Sequence, residues 1–128
     1  MTMVYRDDGS FLVENRLKHD WPGINFPGGH VEDAESIEES AIREIKEETG
    51  LSISSLQEVG VYEWNLPDQS VRHVCVLYRT NVFKGKAVSS NEGPVFWIKK
   101  EDVSSYEQSI DFDKLLLKMT AGLDCFRL

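Results

Sequence analysis

The chain has 128 residues, 41% hydrophobic and 28% charged, with 22 acids against 14 bases and a formal net charge of −8. That length and composition fit one globular domain over residues 1–128, large enough to bury a core without disulfide staples. No apolar run approaches the roughly 20 residues that span a bilayer, and the acidic balance excludes a broad basic surface for long nucleic acid.

The opening residues lack the basic-then-apolar pattern of a signal peptide, and Cys75 and Cys125 read as reduced thiols of a cytoplasmic protein. Val4–Tyr5 and Phe11–Val13 flank Arg6-Asp7-Asp8-Gly9-Ser10. An Asp-Gly pair between apolar runs predicts a hairpin, its second arm ending near Arg16. From His19 to Gly29 the breakers Pro22, Gly23, Pro27, Gly28 and Gly29 predict a loop, with a short extended piece at 24–26. Ser36 and Glu39 have the spacing of a capping box, Ile37, Ala41, Ile42 and Ile45 recur at helical spacing, and Gly50 stands where a helix stops. The spacing predicts a helix over 37–49. Strands follow around 56–63, 72–80 and 95–98, and a second helix over 111–120 with Leu115, Leu116 and Met119 inward. Strands, helix, strands, helix is the order of a mixed α/β domain with helices packed on a sheet.

The first helix carries an anomaly. At about 100° per residue, Glu44, Glu47 and Glu48 share an arc of about 100° that borders the apolar face. Like charges at these spacings cost a few tenths of a kcal/mol per pair. They also sit in the last turns, where the helix dipole favours cations. Lys46 points away, and Arg43 is placed to reach Glu47 but not the whole cluster. A hard divalent ion such as Mg²⁺ or Mn²⁺ would resolve the conflict, because such ions take carboxylate and carbonyl oxygens and bridge to phosphates. An ordinary solvated acidic face is the alternative.

Gly29, five residues, Glu35, seven residues, then Arg43-Glu44-Ile45-Lys46-Glu47-Glu48-Thr49-Gly50-Leu51 resembles a complete Nudix box, G-x5-E-x7-R-E-U-x-E-E-x-G-U with U aliphatic. The resemblance implies an α/β/α sandwich around a mixed sheet, with the box as loop–helix–loop. It implies Mg²⁺-dependent hydrolysis of a nucleoside diphosphate linked to another group, with Mn²⁺ able to substitute. It assigns metal binding to Glu44, Glu47 and Glu48 and to a backbone carbonyl in the Gly28–Gly29 turn. Glu35 and Arg43 match positions that brace the box. The general base is Glu47 or Glu92, the latter in a loop where many members carry a functional glutamate.

The stretch from Trp21 to Gly29 is similar to MutT-type members, which hydrolyse nucleoside triphosphates, notably oxidised guanine nucleotides such as 8-oxo-dGTP. Asn25 matches an asparagine that reads the purine edge, and an amide offers both donor and acceptor. Asp111 matches a base-reading acid by ungapped counting; capping the last helix is its alternative role. Arg16 matches a strand-end arginine that contacts phosphates. Trp21, Phe26 and Trp64 are aromatic candidates for stacking a base or filling the core. ADP-ribose, dinucleoside polyphosphates and nucleotide sugars are alternative substrates, and a non-catalytic nucleotide sensor is a third reading. His19, His30 and His73 show no ligand spacing and are assigned no metal role.

Overall fold

The computed structural model describes residues 1–17, 21–64 and 72–127, so His19 lies outside the described residues. Among the described residues, eight strands and two α-helices run in the order β1 (Thr2–Val4), β2 (Phe11–Arg16), β3 (Gly23–Asn25), α1 (Ile37–Thr49), β4 (Ser52–Ile53), β5 (Gln57–Trp64), β6 (His73–Thr80), β7 (Phe83–Lys84), β8 (Val95–Ile98) and α2 (Phe112–Thr120). The strands form a mixed sheet β1-β6-β5, an antiparallel sheet β3-β2-β8 and the small pair β4-β7. Among the described residues no helix is long and apolar enough to cross a membrane.

Successive residues of a strand point to opposite faces. Met3 and Phe11, with Tyr5 and Val13, join Phe112, Leu115 and Met119 of α2 in one core cluster. Val4 and Leu12 join Ile45 of α1, with Leu51 and Ile53, in the other. The first two strands are apolar on both faces because a helix covers each face, α1 on one and α2 on the other. This is the α/β/α sandwich that the sequence implies.

The first hairpin is only half formed. Its turn closes as expected, with the Arg6 N–H donating to the Ser10 carbonyl at 2.9 Å and the Gly9 N–H to the Arg6 carbonyl at 3.1 Å. The arms then meet at a single bridge, Tyr5 with Phe11. β1 continues parallel to β6, Thr2 opposite Tyr78, while β2 lies antiparallel between β3 and β8. A two-stranded ribbon buries too little to stand alone, and each arm takes its ladder from distant strands. The helix over 37–49 forms at those bounds. The second begins at Phe112, one residue after the expected start, and the extended piece near 24–26 is the strand 23–25.

Candidate active site

α1 follows from its own sequence. The Glu39 N–H donates to Ser36 Oγ at 3.1 Å and the Ser36 N–H to Glu39 Oε1 at 3.0 Å, so the capping box is complete. At the other end the Gly50 N–H donates to the Lys46 carbonyl at 3.0 Å. Ile45 and Ala41 are buried, and this anchoring fixes which way the glutamates face.

Arg43 organises the box. It donates to both carboxylate oxygens of Glu35, at 3.0 Å from Nε and 2.8 Å from Nη2, and Nη2 also donates to the His30 carbonyl at 3.0 Å. The fork therefore ties the helix to the loop before it. This contact holds the Glu35 carboxyl far below the usual carboxylate range, at about 2. Nη1 donates to Glu44 at 2.9 Å and to Glu47 at 3.1 Å. Arg43 reaches Glu47 but not the whole cluster, as the wheel predicts, and its long side chain also reaches Glu44. Glu48 is the box acid it does not touch.

Glu48 is buried, and its carboxylate accepts from the Gly28 N–H at 2.9 Å. Burial pushes its carboxyl up to about 8, with further upward pressure from the charges of Glu14, Glu44 and Glu92 against the opposing Gly28 hydrogen bond. Glu14 was not foreseen as a site residue. It is buried at 3% exposure on β2, two residues after Leu12, on the face that α1 covers. An acid continuing the apolar run Phe11-Leu12-Val13 was the available signal. Glu92 is half-buried and close enough to act on Glu48. Gly93 makes this approach feasible: its φ is +143°, and a Cβ there would run into the Asn15 carbonyl. The Asn15 N–H donates to the Pro94 carbonyl at 2.9 Å, which fastens the Glu92 loop to the end of β2.

These residues suit a hard divalent cation. The donors are carboxylate and backbone oxygens. At Gly29 a Cβ would overlap the Glu44 carboxylate, so a larger residue there would displace that side chain from the turn. Burial raises Glu48 most; the repulsion from Glu14, Glu44 and Glu92 that adds to it is the kind that a cation relieves. Among the described residues no three side chains stand gathered as a ready-made cage, since Arg43 spans Glu44 and Glu47 while Glu48 holds Gly28.

Beside the Gly28–Gly29 turn opens a cleft of about 240 Å³ lined by Arg16, Trp21, Asn25, Trp64 and His73. Trp21 stands edge-on to Trp64 with centroids 5.8 Å apart and lies 5.7 Å from His73. The Asn25 carbonyl oxygen of the side chain accepts from the Phe26 N–H at 2.9 Å. Phe26 reaches the cleft but is 3% exposed and packs on Phe112 in the core. Across the turn a second cavity of about 190 Å³ includes Glu44 and Cys75. Asp111 does not cap α2 through its side chain; its carboxylate accepts from the Tyr62 hydroxyl at 2.7 Å, and it is not among the residues that line the cleft.

Comparison with known proteins gives the family and the fold. A model of the NUDIX domain matches residues 1–124. YtkD of Bacillus subtilis, named provisionally as an 8-oxo-dGTP diphosphatase, is 50% identical over 61 residues, 48% of this chain and 37% of that protein. An ADP-ribose pyrophosphatase of Methanocaldococcus jannaschii is 34% identical over 92 residues, 70% of this chain and 53% of that protein. The chain thus spans about half or less of the length of these relatives. The crystal structure of a MutT NUDIX hydrolase from Burkholderia pseudomallei superposes with a TM-score of 0.82 at 21% identity, covering 93% of this chain and 94% of that one, which is a likeness of fold. With every fixed position of the box present and the domain model spanning nearly the whole sequence, the chain belongs to the NUDIX domain family.

Proposed function

We propose that the chain is a nucleoside triphosphate pyrophosphohydrolase. It works with Mg²⁺, or Mn²⁺ in its place, and releases a nucleoside monophosphate and pyrophosphate, with oxidised purine nucleotides such as 8-oxo-dGTP as substrates. The observation that carries this reading is the junction at Gly28–Gly29. There the acidic end of α1 meets a cleft with two tryptophans, an amide and an arginine.

Glu44, Glu47 and Glu48, with the Gly28 carbonyl, would hold the metal. Once bound, a divalent cation neutralises phosphoryl oxygens and lowers the pKa of water. Glu47 or Glu92 takes the proton from the attacking water. Arg16 supplies positive charge for the phosphates, which the acidic helix lacks. Asn25 presents its amide to a base edge held against Trp21 or Trp64. Glu35 acts by fixing Arg43, which in turn sets the rotamers of Glu44 and Glu47.

A second reading, hydrolysis of a linked diphosphate such as ADP-ribose, is favoured by the similarity to the archaeal pyrophosphatase. Product analysis across a panel with Mg²⁺ and with Mn²⁺ separates the two. Turnover of 8-oxo-dGTP to the monophosphate and pyrophosphate supports the first; preference for ADP-ribose over it overturns that reading.

A further inference from the structure

A third cavity, of about 360 Å³, shares no lining residue with the two beside the Gly28–Gly29 turn. It lies between β8 and the segment that follows β7. Trp97 and Phe83 form its aromatic part, with ring centroids 5.4 Å apart at an interplanar angle of 32°. The Arg6 guanidinium stacks on Trp97 at 3.7 Å from the ring centroid, and Lys86 lines the same space. No carboxylate lines it. Among the described residues neither Arg6 nor Lys86 makes an ion pair. Of the two acids on the same turn as Arg6, Asp8 is taken by the Ser10 N–H at 2.9 Å and the Ser10 hydroxyl at 2.6 Å, and Asp7 accepts from Asn81 Nδ2 at 3.4 Å.

Two cations without an ion pair among the described residues, beside an apolar cleft, are unexpected on a chain with a net charge of −8. Stacking occupies the face of a guanidinium and leaves its N–H donors in the plane, free for an oxyanion. Phe83, Ala87 and Val95 are half-buried around them, an apolar wall wide enough for more than an inorganic ion. The wall is also fixed in place: the Val88 N–H donates to the Thr49 carbonyl at 2.8 Å, which pins this segment to the end of α1.

We propose that this cleft is a second binding site, for a small phosphorylated ligand whose phosphate meets Arg6 and Lys86 and whose planar or apolar part lies against Phe83 and Val95. The site is independent of the hydrolase reading, and the test keeps the two apart. The protein is held metal-free with EDTA and its tryptophan indole N–H signals are followed by NMR. Inorganic phosphate is added in one series and adenosine monophosphate in another. Saturable movement of the Trp97 indole and of the Gly85 and Lys86 amides is expected, tighter for adenosine monophosphate than for phosphate and weakened by salt. The double variant Arg6→Gln, Lys86→Gln should bind about tenfold more weakly, with an otherwise unchanged spectrum and unchanged hydrolysis. A Trp97 signal that stays still at millimolar nucleotide overturns the proposal. So does equal affinity for phosphate alone, or a double variant that binds like the parent.

Discussion

The two helices hold their places by opposite means. α1 is specified locally: a complete capping box at its start, a glycine at its end, and apolar residues at helical spacing. α2 has no side-chain cap, and Asp111 enters it with φ at +64°, a left-handed conformation uncommon for any residue but glycine. Its support comes from afar. Trp64 Nε1 donates to the Ile110 carbonyl at 3.1 Å and Tyr62 to Asp111 at 2.7 Å, which hold its entry from β5. Buried Arg79 donates to the Met119 and Ala121 carbonyls at 2.9 and 2.7 Å, which closes its exit from β6. The helix with the self-sufficient ends carries the unfavourable charge. Strong local signals let α1 tolerate a crowd of glutamates along its seam, whereas α2, free of that burden, relies on its apolar face and on donors from the sheet.

This contrast can be broken at several points. The largest effect should be chemical: Glu47→Gln or Glu92→Gln, whichever is the base, should lower the hydrolysis rate by about 10²–10⁴-fold with the fold intact. Equal retention of activity in both, measured with Mg²⁺, overturns the assignment of the base. Next comes the support of α2. Arg79→Ala strands the Met119 and Ala121 carbonyls and Gln57 Oε1, which accepts from Arg79 Nε at 2.9 Å, and should destabilise the protein by about 3 kcal/mol, read as a lower urea midpoint at unchanged slope. A loss confined to a few tenths would mean that α2 does not depend on it. The α1 cap is smaller: Ser36→Ala should cost about 1 kcal/mol.

The smallest effect is the pH response of the box brace. Because Arg43 depresses the Glu35 carboxyl, that contact contributes stability above the ordinary value of 4.5 and loses it as pH falls toward 2. Glu35→Gln should therefore flatten the acid side of the stability curve in that window and leave its shape near neutrality unchanged. A variant as acid-sensitive as the parent would show that the brace adds nothing.

The same contrast explains what could be read in advance. α1, its caps and the seam of Glu44, Glu47 and Glu48 depend on neighbours within a few residues, so spacing sufficed. The bond of Asp111 to Tyr62 is not legible in the spacing, because the partner lies 49 residues away and nothing local reports the pairing. The parting of β1 from β2 was hidden for the same reason: the Asp-Gly turn is a local signal, while the parallel ladder to β6 is not. Glu14 escaped notice because an acid on a strand looks solvated until α1 is laid over it. The charge itself was legible in outline, since residues 29–51 hold eight acids and two bases, a net of −6, against −2 for the rest. Its consequence, a Glu48 carboxyl raised to about 8, required knowing how deeply the residue is buried.

The divided hairpin also sets an order of assembly. Residues 2–4 leave the ribosome well before their ladder partners, residues 78–80. Contacts so distant in sequence close slowly, because the intervening chain must be gathered first. During synthesis Met3 and Val4, both fully buried in the finished protein, wait beside a formed turn for a strand not yet made. β1 is thus made long before it can pair. Substitutions in it should act on the yield of folded protein during synthesis more strongly than on the stability of molecules already folded.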